Sequence, residues 1–473
     1  MLFNSITFVL FHLMFVTLYW ATKSLRIRQV LLLLSSVIFY GWYYWPALIL
    51  LGVSMMANYG FSRWIEAASA KKKILTIGVL ANLCSLSFFK YSAFIADNVV
   101  AMLGAVGMSL EAPEMNSWLP LGISFYTFQI IGYLVDISRG EVKAERNFLV
   151  FGVFKCFYAQ LVAGPIVRAK DLIPQLNIRQ VFNSRNFQLG IYFMLAGLAI
   201  KICIADTLAQ FVNHGFGDPG ALETGTAWLT LYGFAFQILS DFWGYSTVAI
   251  GLGLMYGIKL PLNFNLPYLA SSLRDFWRRW HITLSEWLRD YLYIPLGGNR
   301  RWQNRNLFLT MLLGGLWHGA SWNFVIWGAG HGIWLALERI SPTIFPKKKF
   351  FQWLKIVLVF HGVCLLWVFF RAGEEELRAA RDLAREGVTG LQVSLDYFKA
   401  LFGAPYTQSD SPPETLIFIL LGFIAFMAFL GKSLTDRRFL EWGLARQVSL
   451  CILLLFLIIA YADARLDFIY FVF

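Results

Sequence analysis

Long apolar segments recur along this chain of 473 residues, and they constrain its fold more than any other feature. Each is long enough to cross a hydrocarbon core of ~30 Å as an α-helix, which takes about 18 or more residues. Backbone polar groups inside lipid must be satisfied within the segment, so spans of this kind form helices. The sequence therefore predicts an all-α polytopic membrane protein, with spans at 4–21, 28–45, 118–137, 187–205, 353–371, 415–431 and 447–464.

The composition supports one membrane domain over 1–473, without a soluble domain. Hydrophobic residues make up 58% of the chain and charged residues 14%, whereas roughly a quarter of the residues of a soluble domain are charged. The net charge of +12 is typical of basic cytoplasmic loops and does not indicate nucleic-acid binding. The first span lacks a basic region before it and a small-residue cleavage site after it, which favours a retained helix.

Charge alternates between successive loops, which predicts the orientation. The positive-inside rule places the basic loops in the cytoplasm. The pattern predicts about 11 to 12 crossings, with the N-terminus outside. The basic stretches are 22–30, 63–73, 138–186 and 259–306, and the acidic ones are 104–117, 206–225 and 374–414.

Segment 148–166 is apolar but lies between two basic stretches. A single crossing there would place Arg168 and Lys170 outside. We therefore predict a re-entrant or buried helix pair, which is tolerated at membrane depth when protein surrounds it.

The first part of segment 263–332 combines aromatic residues with arginines. Apolar residues recur every three or four positions, which predicts an amphipathic helix lying in the cytoplasmic interface. A helix that only anchors the chain among lipid headgroups would show the same pattern. The apolar positions are Trp277, Trp280, Leu284, Trp287, Leu288 and Tyr291, and the arginines between them are Arg274, Arg278, Arg279 and Arg289.

The second part predicts a tight turn at Gly297–Gly298, followed by Arg300, Arg301 and Arg305. Backbone amides of such a turn beside guanidinium groups suit a phosphate. An ordinary basic cytoplasmic loop has a similar composition, so both interpretations stay open.

The third part begins the predicted catalytic helices, which extend over 307–338, and it carries the main candidate for catalysis. A helix is predicted to begin near Leu307, and at a rise of ~1.5 Å per residue His318 would lie roughly 16 Å into a ~30 Å core. An imidazole at that depth is costly unless it faces protein or water, so it is a functional candidate. Burial disfavours the imidazolium, and a neutral ring can accept a proton. His318 is therefore predicted to act as a general base.

The alternative interpretation is that His318 is a structural histidine. His12 and His361 also fall inside apolar spans, where a histidine often only hydrogen-bonds a neighbouring helix. The glycines at 314, 315 and 319 favour His318, because they leave its backbone surroundings open.

A metal site is not favoured. His281, His318 and His331 are 37 and 13 residues apart, separations that match no zinc-ligand spacing, and no carboxylate motif accompanies them. The five cysteines are scattered through apolar segments. We therefore expect no metal and no bound cofactor.

Several motifs in the same order resemble the membrane-bound O-acyltransferase (MBOAT) family, and within it the AlgI-type bacterial branch of alginate O-acetylation. The resemblance covers nearly the whole chain. The motifs are LPLGISFYTFQIIGYLVDISRG at 119–140, QLVAGPIVR at 160–168, IADTLA at 204–209, SDFWGYSTVAIGLGLMYG at 240–257, NFNLPY at 263–268, DFWRRWHITLSEWLRDYLYIPLGGNR at 275–300, LLGGLWHGASWNFVIWGAGHG ending at 332, and the closing LDFIYFVF.

The resemblance implies a ring of tilted helices around a central funnel, where a cytoplasmic acyl donor meets an extracytoplasmic acceptor. It implies two catalytic residues: His318, the catalytic histidine of the WHG motif, and His281, the second polar position, which would position the donor or stabilise charge. Thr247 stands where the branch usually has Asp, and Trp243 replaces a small residue, so no role is expected for Thr247. The residues expected along the donor and acceptor pathway are Asp241, Tyr245, Trp280, Trp317, Asn323 and His331, and those expected near the CoA phosphates are Arg278, Arg279, Arg300 and Arg301.

The implied activity is transfer of an acetyl group from acetyl-CoA, as co-substrate, across the bacterial inner membrane. A periplasmic acetyltransferase partner would then modify an exopolysaccharide, with alginate favoured. The same chemistry could serve peptidoglycan, cellulose or teichoic acid, the last with a carrier-protein thioester. Two rivals of other classes stay open: a transporter or flippase of acylated or lipid-linked sugar with His318 in a proton relay, and a scaffold for polysaccharide export.

Overall fold

The computed structural model describes residues 1, 3–42, 44–108, 119–162, 164–340, 349–373, 389–403, 421 and 438–461. Regular structure within these ranges is helical, without a β-strand, which confirms the predicted all-α class. The predicted span at 415–431 lies outside the described residues apart from position 421. The same holds for most of the acidic stretch 374–414, for 109–117 and for the closing motif.

The described residues form two compact units. The first unit comprises Met1–Phe182 and Tyr256–Lys259. Its helices are α1 (Ile6–Ala21), α2 (Leu25–Gly41), α3 (Ala47–Ala67), α4 (Lys71–Ala105), α5 (Ile123–Arg139), α6 (Phe148–Cys156), α7 (Tyr158–Leu161) and α8 (Ala169–Leu176).

Two short helices, α6 and α7, occupy the segment predicted as a re-entrant pair. The chain breaks between them at Phe157, which leaves the α-helical region with φ −51° and ψ 114°. Both helices are buried, and neither is long enough to cross a membrane at ~1.5 Å per residue. Their depth in the bilayer stays a prediction.

His12 is held as a structural histidine in this unit. Its Nδ1 is hydrogen-bonded to the Tyr158 hydroxyl at 2.7 Å, and that hydroxyl donates to Tyr256 at 3.1 Å. His361, in the second unit, is hydrogen-bonded to the Tyr232 hydroxyl at 2.9 Å and to the Val357 carbonyl at 2.7 Å. Both contacts agree with the structural interpretation of these two residues.

The second unit contains the described residues of Asn183–Met255 and Leu260–Phe473. Short 3₁₀ turns lie at Pro219–Ala221, Pro267–Leu269 and Arg438–Glu441, and π-helical turns at Ile200–Asp206 and Arg289–Tyr293. The helices are α9 (Ser184–Ala199), α10 (Thr207–Gly217), α11 (Thr224–Met255), α12 (Leu273–Trp277), α13 (Ile282–Leu288), α14 (Gln303–His318), α15 (Trp322–Ile340), α16 (Lys349–Ala372), α17 (Gly390–Gly403) and α18 (Leu444–Ala460).

Four helical stretches in the described part of the chain are long and apolar enough to span a bilayer. Shorter apolar helices lie at Ile6–Ala21 and Leu444–Ala460. The multi-pass character is therefore confirmed, whereas the count of 11 to 12 crossings stays a prediction. The four stretches are Lys71–Ala105, Ser184–Gly217, Thr224–Met255 and Phe351–Ala372.

Helix α11 is the centre of the second unit, and it packs against α9 through glycines. A Cβ added to Gly251 would lie 2.6 Å from the carbonyl oxygen of Gly190, and one added to Gly190 would lie 2.7 Å from the carbonyl oxygen of Gly251. Gly197 and Gly244 form a second pair of this kind one heptad along. Small residues allow the two backbones to approach closely, as helix contacts in membranes often require.

We expect Gly251→Ala to destabilise the protein by about 1–3 kcal/mol, because the added methyl group overpacks a backbone contact. Thermal unfolding in detergent measures the change. Gly60→Ala in α3 is the matched control, since nothing lies within 4 Å of the position of its Cβ. Equal unfolding temperatures for the two variants would contradict the close approach of α9 and α11.

Candidate active site

His318 is the last residue of α14, at the tip of a helical hairpin. Helix α14 begins at Gln303, four residues before the predicted start, and ends at His318, where Gly319 becomes extended with φ −166°. Helix α15 begins at Trp322 and returns antiparallel. The predicted helix is therefore present, but it begins four residues earlier than expected and ends at His318. The extended Gly319 ends α14, because extended backbone cannot continue its hydrogen-bond ladder.

Glycines hold the two arms of this hairpin together. A Cβ on Gly315 would lie 3.0 Å from the Cα of Gly328, and a Cβ on Gly332 would lie 2.9 Å from the Cα of Phe308. Gly315, three residues before His318, therefore serves helix packing, where the sequence had indicated open space.

Aromatic rings surround the His318 imidazole, which is 2% exposed. The ring centroids of Trp317, Trp327 and Phe370 lie 4.9, 5.2 and 5.2 Å from that of His318. Trp317 also lies 6.2 Å from the ring of His281 in an edge-on arrangement. The two histidines predicted to be catalytic thus flank one indole.

His281 lies at a break between α12 and α13. Its φ is 41°, a left-handed conformation that costs a residue with a Cβ roughly 1–2 kcal/mol. The prediction of one amphipathic helix through Trp277 and Tyr291 is therefore wrong. Two backbone hydrogen bonds impose the break: Ile282 N donates to Asn263 O and Asn265 N donates to Arg279 O, both at 2.9 Å.

His331 and Trp280 are both buried. The His331 ring lies 5.2 Å from that of Trp277 and 4.8 Å from that of Trp327. Trp280 packs 5.0 Å from Trp367. The structure thus brings His331 to Trp327, the same indole that contacts His318. The pathway roles of these residues stay predictions.

Asp241 belongs to a buried ion group that sequence reasoning missed. Lys201 Nζ lies 2.9 Å from Asp241 Oδ1 and also forms an ion pair and hydrogen bond with Asp206. The three residues are 1–3% exposed. Tyr245 is close by, with its ring centroid 6.0 Å from Lys201 Nζ. The available signal was two charged residues: Lys201 inside the predicted span 187–205 and Asp206 directly after it. Charges in a membrane span are costly, so such residues need a partner of opposite charge.

Asn323 ties the start of α15 to α17. Its amide donates to the Gly390 carbonyl at 3.1 Å and to the Ser394 hydroxyl at 2.9 Å. This contact is structural, and a pathway role for Asn323 stays a prediction.

Trp243 and Thr247 line a small cleft with Asn263, and the Thr247 hydroxyl donates to the Trp243 carbonyl at 2.8 Å.

The predicted tight turn is present, with φ of 118° at Gly297 and 52° at Gly298. Among the four arginines predicted to bind phosphate, Arg278, Arg300 and Arg301 are exposed. Arg279 is half-buried, and its Nε donates to Asp275 at 2.9 Å. The Arg301 guanidinium stacks 4.1 Å from the Trp302 ring. Arg279 is thus the least available of the four to an added anion.

The arrangement suits proton transfer in a site closed to water. Burial lowers the pKa of His281 to about 3, so this imidazole is neutral at physiological pH. Across the part of the chain that the structure describes, no group of three His, Cys, Asp or Glu side chains is placed to hold a metal ion. A buried base and its aromatic walls fit a transferase whose nucleophile is a substrate hydroxyl.

Comparisons with known proteins agree with that class. Residues 67–373 match the sequence model of MBOAT, the membrane-bound O-acyltransferase family. A protein of Pseudomonas aeruginosa described as probable alginate O-acetylase AlgI is 42% identical over 416 residues, which are 83% of this chain and 79% of that protein. The peptidoglycan O-acetyltransferase of Helicobacter pylori is 34% identical over 95% of this chain and 92% of its own length.

A more distant relative is the teichoic acid D-alanyltransferase of Streptococcus thermophilus, 28% identical over 53% of this chain and 68% of its own length. The residues 67–373 that match the family model contain His281 and His318. The chain belongs to the membrane-bound O-acyltransferase family and is an O-acyltransferase.

We expect Lys201→Met to destabilise the protein by about 3–5 kcal/mol, because it leaves two buried carboxylates without their cation. Denaturant unfolding in detergent measures this loss. Lys399→Met is the matched control: its ion pair with Asp396 is exposed, and such pairs contribute at most ~1 kcal/mol.

The triple variant Lys201→Met, Asp206→Asn, Asp241→Asn removes all three charges, and we expect it to be more stable than Lys201→Met alone. A Lys201→Met protein as stable as the wild type would contradict the buried ion group.

Proposed function

We propose that this chain transfers an acetyl group from acetyl-CoA in the cytoplasm, across the bacterial inner membrane, for O-acetylation of an exopolysaccharide. Alginate is the favoured polymer, because the relatives at about 40% identity are described as alginate O-acetylases. The observation that carries the proposal is the pair of buried histidines on either side of Trp317 in a chain of this family.

In the proposed step, His318 takes the proton of an acceptor hydroxyl while the oxygen attacks the thioester carbonyl carbon. The carbon–sulfur bond breaks, and the CoA thiolate leaves and regains that proton. The burial of His318 excludes water that would hydrolyse the thioester.

The donor would enter from the basic cytoplasmic side. Segment 259–306 has eight basic and three acidic residues. The exposed Arg278, Arg300 and Arg301 can reach phosphate groups in solution, whereas Arg279 is engaged by Asp275. Membrane lipids surround the chain, and a periplasmic acetyltransferase partner would pass the acetyl group to the polysaccharide.

Peptidoglycan is the second candidate acceptor. The Helicobacter pylori relative described as a peptidoglycan O-acetyltransferase aligns with 95% of this chain, a larger share than the alginate O-acetylases cover. The transporter, flippase and scaffold interpretations lose their support, because the family carries out acyl transfer.

Purified protein in lipid nanodiscs, supplied with a soluble polysaccharide fragment as the hydroxyl acceptor, should release CoA from labelled acetyl-CoA. His318→Ala should slow this release by at least ~10²-fold, since a general base is lost. His361→Gln is the matched control: it changes another histidine inside an apolar helix, and we expect it to keep the wild-type rate. Wild-type rates in His318→Ala would overturn the catalytic assignment.

In a deletion strain, complementation with the wild-type gene should restore acetyl groups, and complementation with His318→Ala should not. Acetyl content of exopolysaccharide and of peptidoglycan, measured separately, identifies the acceptor. Recovery in peptidoglycan alone would replace alginate by the second candidate. Recovery of either polymer by His318→Ala would contradict the enzyme mechanism.

A further inference from the structure

Asn263 connects three separate parts of the second unit by hydrogen bonds. Its side-chain Nδ2 donates to the Ser246 hydroxyl at 3.1 Å, on α11. Its Oδ1 is bonded to the backbone N–H and the hydroxyl of Thr283, at 3.3 and 2.9 Å, and to His281 Nδ1 at 3.1 Å. Asn263 is 1% exposed, so its side chain is bonded to these protein groups and not to bulk water.

The orientation of the Asn263 amide follows from its partners. The backbone N–H of Thr283 can only donate, so the atom facing it must be the oxygen. This N–H is also one of the N-terminal donors of α13 that the helix itself cannot satisfy, and the side chain of the cap residue His281 does not bond it. The amide nitrogen is then the atom that faces Ser246, and a reversed amide would set its own donors against Thr283.

We infer that Asn263 is a positioning residue that fixes His281 in the tautomer with the proton on Nδ1 and the lone pair on Nε2. Because Oδ1 accepts, the imidazole nitrogen that faces it must carry a proton. A neutral ring has one such proton, so Nε2 is the acceptor. This inference rests on the proposed function only for its consequence in catalysis.

The backbone around His281 supports the same geometry. Ile282 N donates to the carbonyl of Asn263 itself, and the left-handed His281 lies directly before it. One residue therefore holds both the main chain and the ring of His281. Residues kept in strained conformations are held so by their surroundings, and they cluster at functional sites.

The tautomer defines what His281 can do. With the lone pair on Nε2, the ring accepts a hydrogen bond or a proton at that atom and cannot stabilise an oxyanion there. His281 would thus accept a hydrogen bond from the hydroxyl of the acyl acceptor and orient it, or take its proton. The base His318 lies on the other side of Trp317. Of the two roles expected for His281, positioning is favoured over charge stabilisation.

Solid-state NMR of protein with ¹⁵N-labelled histidine in lipid bilayers tests the tautomer directly, and His281→Gln identifies the signals by their loss. We expect a protonated Nδ1 and a bare Nε2 in the wild type, and a shift towards Nε2–H in Asn263→Leu. A proton on Nε2 in the wild type would overturn the inference. This measurement does not depend on activity, so it stands even if no CoA release is found.

Kinetics give the second test. We expect Asn263→Leu to lower kcat for CoA release by about 10- to 100-fold with little change in KM for acetyl-CoA, as loss of an orienting partner does. Asn263→Asp should restore most of the rate, because its carboxylate accepts the same bonds and the Ser246 hydroxyl can turn to donate.

Ser285→Ala is the control. It removes a neighbouring hydroxyl that donates to the Trp280 carbonyl, and it should keep the wild-type rate. Equal losses in Asn263→Leu and Asn263→Asp, or none in either, would contradict a role that depends on the acceptor oxygen.

Discussion

The buried ion pair between Lys201 and Asp241 is the contact on which the second unit depends. It joins the π-helical turn after α9 to α11, with Asp206 as a second anion, in a place where water cannot solvate any of the three. Charges at such a site must lie close to one another, because an unpaired one costs several kcal/mol. The register of α11 against α9 is therefore set by electrostatics as well as by the glycine pairs.

The register of α11 affects the candidate site through a short chain of hydrogen bonds. Ser246 lies five residues beyond Asp241 on α11, and its hydroxyl accepts a hydrogen bond from the Asn263 amide. Asn263 in turn holds the ring and the backbone of His281. A shift of α11 by one residue would rotate Ser246 away from Asn263. The position of a site histidine thus depends on a salt bridge that does not contact it.

The hairpin of α14 and α15 supplies the other histidine. Glycine contacts bring the two backbones together, and the turn at Gly319 places His318 at the tip among Trp317, Trp327 and Phe370. Both histidines are buried, and both contact aromatic rings. Such a site favours a neutral base and excludes water.

The sequence was sufficient for the fold class, for most apolar helices and for the candidate His318. The lengths of the apolar segments predict the helices, because lipid leaves the backbone few alternatives to a helix. The WHG motif singles out His318. The span predicted at 4–21 is the helix Ile6–Ala21, and the turn at Gly297–Gly298 is present. The structural histidines His12 and His361 could not be separated from His318 by depth, since their difference lies in tyrosine partners distant in sequence.

What the sequence by itself determined is an all-helical membrane chain of the O-acyltransferase family with a buried histidine in its WHG motif. Only the tertiary structure decided that a helix breaks at His281, that α14 ends at His318, and that Lys201 pairs with Asp241 forty residues away. Periodicity records which face of a segment is apolar. It does not record where hydrogen bonds from another segment force the backbone out of the helix, or which distant charge will neutralise a buried one.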